Sequence, residues 1–318
     1  IPEHFGRLLC YPDFAAAPYL EYAGNEQYLY QLLCIGTGEY DIEAIRIEDT
    51  SIDSFEEIEY EIVLPYNAVT KFPTAVTTSG EVAGQEATGT ALGPFVANAA
   101  TTVANRLAID VVCPRGLYYA NDSGGLDAKS VSFTSEARAI DDDGVAIGSW
   151  FTLGTESITA ATTTPQRRSY SYAVPDGRYE VRLTRNDSKD TNSRAGHELD
   201  WAGLRAYLTS SDNFGDVTLV AMKMRATNNL SNQAARKINM IATRKLPVWD
   251  GSAWSPANTA TRSPAWAIAY CAKRIGLPDS RIDLAGLLAL DAVWSARGDS
   301  FDGRFDSVGT WWDSVSKI

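Results

Sequence analysis

The chain has 318 residues, enough for two or three domains and a sizeable core. At 45% hydrophobic and 21% charged it is too apolar to be a disordered chain. Its net charge of −12 argues against a nucleic-acid partner, which would need Lys and Arg gathered on one face; the densest basic group is only Arg236-Lys237 with Arg244-Lys245.

In chain order, the opening residues "IPEHFGRLLCYPD" lack the basic start and long apolar centre of a signal peptide. The start at Ile1 rather than Met suggests a fragment or a processed product. No apolar run anywhere approaches the roughly 20 residues of a membrane span. "QYLYQLLCI" reads as a strand ended by Gly36 and Gly38. In the next strand Tyr40, Ile42 and Ala44 alternate, then the pattern slips by one to Ile45 and Ile47, which predicts a β-bulge. After a turn near residues 51–54, Ile58, Tyr60, Ile62 and Leu64 share one face against Glu57, Glu59 and Glu61, as in a half-solvated antiparallel strand. Residues 73–105 shift to Ala, Thr, Gly and Val and are expected as an extended connection whose order the sequence leaves open.

Six candidate strands follow within 106–209: "RLAIDVVC", "SVSFTSEARAI", "SWFTLGTESI", "RRSYSYAV", "GRYEVRLTR" and "HELDWAGLRAYL". Turn signals at Asn121-Asp122, Asp143-Gly144 and Asp176-Gly177 separate them. Six short strands in this span suit a β-sandwich of immunoglobulin-like architecture. "DVTLVAMKMRAT" and "ARKINMIATRKLPVW" then read as two long strands joined by the polar loop "NNLSNQ". The last quarter is expected to be helical. Ser263 and Pro264 open a helix that closes at Gly276, Asp283 and Gly298 bound a second, and "VGTWWDSVSKI" begins a third. The fold class expected is mainly β with a smaller α portion (α+β).

The chemistry is sparse. Gly36-Thr37-Gly38 follows an apolar strand as a phosphate loop would, but a dinucleotide fingerprint needs a third Gly and a helix beginning at the loop. Glu39 and Asp41 would repel a phosphate, so the motif reads as a turn. His4 and His197 are the only histidines, and no GxSxG, HExxH or EF-hand pattern is present. Asp141, Asp142 and Asp143 before Gly144 suit a hairpin turn better than a Ca²⁺ site. Asp302 and Asp306 around Gly303 read as a loop between helices. Cys10, Cys34, Cys113 and Cys271 make no metal or redox spacing and read as reduced thiols in apolar surroundings. Trp249 and Trp254 flank an Asp-Gly turn as a cross-strand pair would, and one of Trp311 and Trp312 must face away from its own core. No catalytic, cofactor-binding or metal residue is assigned.

Six long stretches, in three groups, carry a resemblance. "NEQYLYQLLCIGTGEYDIEAIRIEDTSIDSFEEIEYEI" resembles the hub segment of phage tail-tip proteins of the tip attachment protein J family, also called host specificity proteins, of lambda-like siphophages and prophages. "IDVVCPRGLYYANDSGGL", "PQRRSYSYAVPDGRYEVRLTR" and "TNSRAGHELDWAGLRAYL" resemble the sandwich inserted into that hub. "ARKINMIATRKLPVWDGSAWSP" and "FDGRFDSVGTWWDSVSKI" resemble the return to the hub and its helical section. The resemblance implies a virion structural protein at the tail tip, made in the bacterial cytoplasm. It would be homotrimeric at full length, would meet other tail-tip and tail-tube proteins, and would reach a host receptor through a C-terminal region that this chain lacks. Implied domains are a β-barrel-like hub domain in two parts (1–72 and 210–260), a linker (73–105), the inserted sandwich (106–209) and a truncated helical start of a further hub domain (261–318). Two rival readings are a carbohydrate-binding sandwich, with Tyr118, Tyr119 and Trp150 stacking on a glycan, and a cell-envelope hydrolase using an Asp/Glu pair.

Overall fold

The computed structural model describes residues 1–73, 75–82, 84–210, 212–227, 237–306 and 310–318; "NNLSNQ" and Arg236 lie outside them. The strands of the first part are β1 (Glu3–Phe5), β2 (Arg7–Cys10), β3 (Asp13–Ala23), β4 (Glu26–Thr37), β5 (Tyr40–Ile47), β6 (Thr50–Ser51) and β7 (Ile58–Val63). Next come β8 (Val76–Thr78), β9 (Gln85–Glu86), β10 (Leu92–Val96), β11 (Ala104–Cys113), β12 (Tyr118–Ala120), β13 (Leu126–Asp127), β14 (Lys129–Ala139) and β15 (Phe151–Ala160). Then follow β16 (Gln166–Gly177), β17 (Tyr179–Arg185), β18 (Ala195–Gly196), β19 (Asp200–Leu208), β20 (Val217–Arg225), β21 (Ile238–Leu246) and β22 (Thr259–Ala260). The chain ends with α1 (Pro264–Arg274), α2 (Leu284–Arg297), β23 (Gly303–Phe305) and α3 (Trp311–Val315). It divides into two compact units: Ile1–Ala16, Gln31–Phe72 and Asp212–Ile318 form one, and Ala17–Tyr30 with Pro73–Ser211 form the other.

In the first unit, strands from early and late in the chain interleave. One sheet has the order β2-β21-β5-β6, with β22 added beside β21, and a second has the order β3-β4-β20-β7. Thus β21 pairs with both β2 and β5, and β20 pairs with β7. The barrel-like expectation is corrected: no closed barrel forms among the described residues, because each sheet ends in edge strands that do not bond to one another. The predicted bulge is present. Ile241 pairs with Ala44 and Ala242 with Ile42, which leaves Glu43 as the extra residue. It brings Ile45 and Ile47 to buried positions after Tyr40 and turns the Glu43 carboxylate to Arg7 (Nε–Oε1 2.8 Å) and the Thr243 hydroxyl (2.8 Å).

The face assignment of β7 is also corrected. Val63 is 5% exposed, whereas Ile62 and Leu64 are each 40% exposed. The strand is a sheet edge, and the core of Leu32, Cys34, Val69 and Leu219 packs on the Val63 side. Asp302 and Asp306 do not sit in a loop between helices, since the intervening Gly303–Phe305 pairs as a strand with Glu3–Phe5. Ser263 precedes α1 as expected, but its hydroxyl makes no cap and donates instead to Asp291 of α2. Asp283 does cap α2 by accepting from the Gly286 N–H, and Gly298 ends it at φ +79°. Thr310 and Asp313 form a reciprocal capping box on α3, leaving Trp312 68% exposed.

In the second unit, all six predicted strands form, as β11, β14, β15, β16, β17 and β19. They lie in two sheets, β10-β17-β14-β15 and β16-β11-β19-β8, with β9 also against β19. Both sheets feed one core that includes Leu107, Ile109, Val131, Phe133, Val181, Leu183, Leu204 and Trp201, making a β-sandwich. The Ala/Thr/Gly-rich stretch carries β8, β9 and β10 rather than a plain extended connection. Its strands are only two to five residues long, too short for periodicity to show, and β10 tolerates Pro94 because it lies at the edge of its sheet. Tyr179 turns its hydroxyl back to the Pro175 carbonyl (2.6 Å), the corner tie of immunoglobulin-like sandwiches. Tyr179→Phe would remove that bond and is expected to destabilise this unit by about 1 kcal/mol, read as a lowered denaturation midpoint.

Candidate functional site

The Gly-Thr-Gly stretch borders a cleft of about 420 Å³ in the first unit, lined among others by Gly38, Glu39, Tyr66, Arg244, Lys245 and Tyr270. β4 ends at Thr37, and Gly38 takes φ +84° to turn the chain into β5. Thr218 donates to the Gly38 carbonyl (2.6 Å), and the Gly38 N–H donates to the Asp216 carbonyl (2.9 Å). Arg244 of β21 is 2% exposed and donates to the Thr37 carbonyl and to the Tyr270 hydroxyl (2.9 Å). Its guanidinium lies 5.1 Å from both the Tyr40 and Tyr270 ring centres, with the Glu3 carboxylate at 3.5 Å. Lys245 pairs with Glu39, whose other oxygen accepts from Asn258 (3.0 Å). Against the upward push of burial, these two hydrogen bonds hold the Glu39 carboxyl below its usual range. Both cations of the cleft are therefore engaged by carboxylates of the same chain, and the turn offers no helix N-terminus to an anion. A methyl group on Gly38 would overlap the Arg244 guanidinium, so Gly38→Ala is expected to cost about 2–4 kcal/mol, read as a lowered thermal midpoint.

The other candidate residues have structural partners. His4 is buried beside Tyr40, its Nε2 is 2.9 Å from the Ile35 carbonyl, and burial lowers its pKa. His197 is 6% exposed, with Nε2 2.8 Å from the Ser130 carbonyl and Nδ1 accepting from the Asp190 N–H (2.9 Å). Asp141 closes its hairpin turn by accepting from the N–H groups of Asp143 (3.0 Å) and Val145 (2.8 Å), while Gly144 takes φ +83°. Asp302 accepts from the Arg7 N–H (2.7 Å) and the Arg262 guanidinium. Among the described residues no group of three or more His, Cys, Asp or Glu is placed to hold a metal ion.

All four cysteines are free. Burial pushes the thiols of Cys10 and Cys271 up to about 11 and that of Cys113 up to about 12, so they stay protonated near neutrality. Trp249 and Trp254 form the expected cross-strand pair, edge to face at 5.5 Å. Tyr118 and Tyr119 lie on β12, where Arg194 and Lys129 sit 5.3 and 5.7 Å from the Tyr119 ring centre. Trp150 is flanked by Arg182 at 4.2 Å and Arg138 at 4.7 Å, on β17 and β14 of the four-stranded sheet. The three proposed sugar-stacking rings thus sit in two settings, each already in contact with cations.

The strongest polar cluster lies elsewhere, on the outer face of the five-stranded sheet in the second unit. Asp110 of β11 is 7% exposed and accepts from Arg205 of β19 and from Ser169 of β16; Arg205 is 2% exposed. Burial raises the Asp110 pKa, against the pull of Arg205. Residues 17–30, the tip of the β3–β4 hairpin, cover this face. The Leu20 carbonyl accepts from Arg205, Tyr22 N–H donates to the Ser169 hydroxyl (2.8 Å), and Asn25 accepts from Arg167 N–H (2.9 Å). Tyr19 stacks on Tyr30 at 4.6 Å and meets Tyr207 edge-on at 6.1 Å, while Tyr207 donates to Glu21 and carries Arg106 3.6 Å above its ring. Sequence reasoning missed this cluster, although a signal was available: a lone Asp inside the apolar run "RLAIDVVC" must find a partner if both faces are covered.

Residues 85–209, which hold this sandwich from β9 to β19, match the family model of Tip attachment protein J, FNIII-A domain. That match supports a J-like phage tail protein. Among solved structures, one titled "Structure of infectious bursal disease virus Gx strain" is similar at 16% identity over 67% of this chain and 50% of that chain, so the match spans half of that chain's length. Its TM-score is 0.23, too low to bear on the fold. No curated protein matches the chain. No helix among the described residues is long and apolar enough to cross a membrane.

Proposed function

We propose that the chain is part of the central hub of a phage tail tip, a virion structural protein that acts by assembly rather than by catalysis. One observation carries this reading. The J-type domain is bracketed in sequence by strands that pair with each other, since β20 and β21 follow it yet share sheets with β4, β5 and β7, which precede it. A domain that interrupts a continuous pair of sheets is the arrangement the hub reading requires. The full-length protein forms a homotrimer that closes the distal tail tube, contacts other tail-tip and tail-tube proteins, and carries the host-recognition fibre through a further C-terminal region. Edge strands and the exposed Trp312 supply surface for such contacts. Light scattering of the full-length protein across a wide concentration range checks this: a trimer mass is expected, and a strict monomer would sink the reading. Neither rival gains an observation here, since the candidate stacking rings do not converge and the acidic groups serve turns and ion pairs.

A further inference from the structure

The outer face of the β16-β11-β19 sheet and the hairpin tip that covers it are matched in a way that the J-type family segment does not contain. We propose that the J-type sandwich depends on residues 17–30 for its stability, held by them as by a clasp that Asp110, Ser169, Arg205 and Tyr207 recognise. The proposal rests on the family match and not on the tail-tip reading.

Three independent features carry it. The first is burial: Ala108, Asp110, Arg205 and Tyr207 point out of the sandwich, since their neighbours Leu107, Ile109, Leu204 and Ala206 fill its core, yet all four are at most 7% exposed. An outward face of an isolated sandwich would be solvated. The second is polar satisfaction: Arg205 and Ser169 each bond to the hairpin backbone, at the Leu20 carbonyl and the Tyr22 N–H, contacts that read an extended strand rather than a loose surface. The third is shape. Gly203 lies directly across from Asp110, where an added Cβ would come 2.8 Å from its Oδ2, and the Tyr19–Tyr30 stack fills the space beside Tyr207. This face is consequently closed to any receptor or glycan, so binding by the J-type domain must use another surface.

Hydrogen exchange on the full chain tests the clasp. In the unaltered protein, peptides covering 17–30 are expected to exchange as slowly as those of β11 and β19. Tyr30→Ala is expected to speed exchange about tenfold or more both in 17–30 and in β11, β16 and β19, with Trp312→Ala as an unaffected control. If Tyr30→Ala does not fold, Glu21→Gln gives the same pattern in milder form, about threefold. Exchange of 17–30 at the rate of the exposed turn Asn121–Gly125 in the unaltered protein would overturn the proposal. So would acceleration confined to 17–30, because the hairpin would then be an ornament the domain does not need.

Discussion

Asp110→Ala is expected to destabilise the sandwich unit by roughly 3–5 kcal/mol, the largest single loss in that unit, because it leaves the Arg205 guanidinium buried without its main counter-charge. Glu21 is the other carboxylate near Arg205, at 3.9 Å, too far to replace the lost hydrogen bond. The cost is one of imbalance rather than of a lost attraction. Replacing both partners, as Asp110→Leu with Arg205→Met, is expected to recover most of the loss, since a buried ion pair exchanged for packed apolar groups is often near neutral. Chemical denaturation read by hydrogen exchange in β11 and β19 distinguishes the two cases. If the double variant were as unstable as Asp110→Ala alone, the pair would not be the source of the effect.

Arg244→Met is expected to have a comparable effect in the other unit, about 3 kcal/mol. The side chain joins β21 to the Thr37 carbonyl, to Tyr270 of α1 and to Glu3 of β1, so its loss removes two charge-assisted hydrogen bonds and the cation between two rings, although Tyr40 still donates to the Thr37 carbonyl and Arg274 to the Tyr270 hydroxyl. Met keeps most of the volume between the Tyr40 and Tyr270 rings, which isolates the polar contribution. Loss of protection in β1 and β4 ahead of β20 would locate the effect at this junction. An unchanged thermal midpoint would show that the cation is dispensable there.

Much of the fold was legible because its strands are long and regular. "QYLYQLLCI", "DVTLVAMKMRAT" and the six sandwich strands all form, and the one-residue slip after Ala44 signals a bulge that the register places at Glu43. The ends of α2 were readable because a side chain caps one, Asp283, and a left-handed glycine stops the other, Gly298. What failed lies beyond local pattern. Periodicity said that one face of β7 was apolar, but only the packing of Val63 against Leu219 and Leu32 decides which face is inside. Strands as short as Gln85–Glu86 or Gly303–Phe305 have no period to detect; they form because a partner strand is waiting. The Asp110–Arg205 clasp unites residues 95 positions apart and draws on a hairpin from the start of the chain. Gly36-Thr37-Gly38, by contrast, does form the turn between two strands that its strand-like sequel predicted. Glu39 does lie at the cleft, where it neutralises Lys245.

Immuno-electron microscopy of purified virions, with antibodies raised against residues 85–209, separates the tail-tip reading from its rivals. Label at the far end of the tail, opposite the capsid, is the expected result. Label on the capsid, or none on intact virions while the protein remains in the soluble fraction of the lysate, would contradict it.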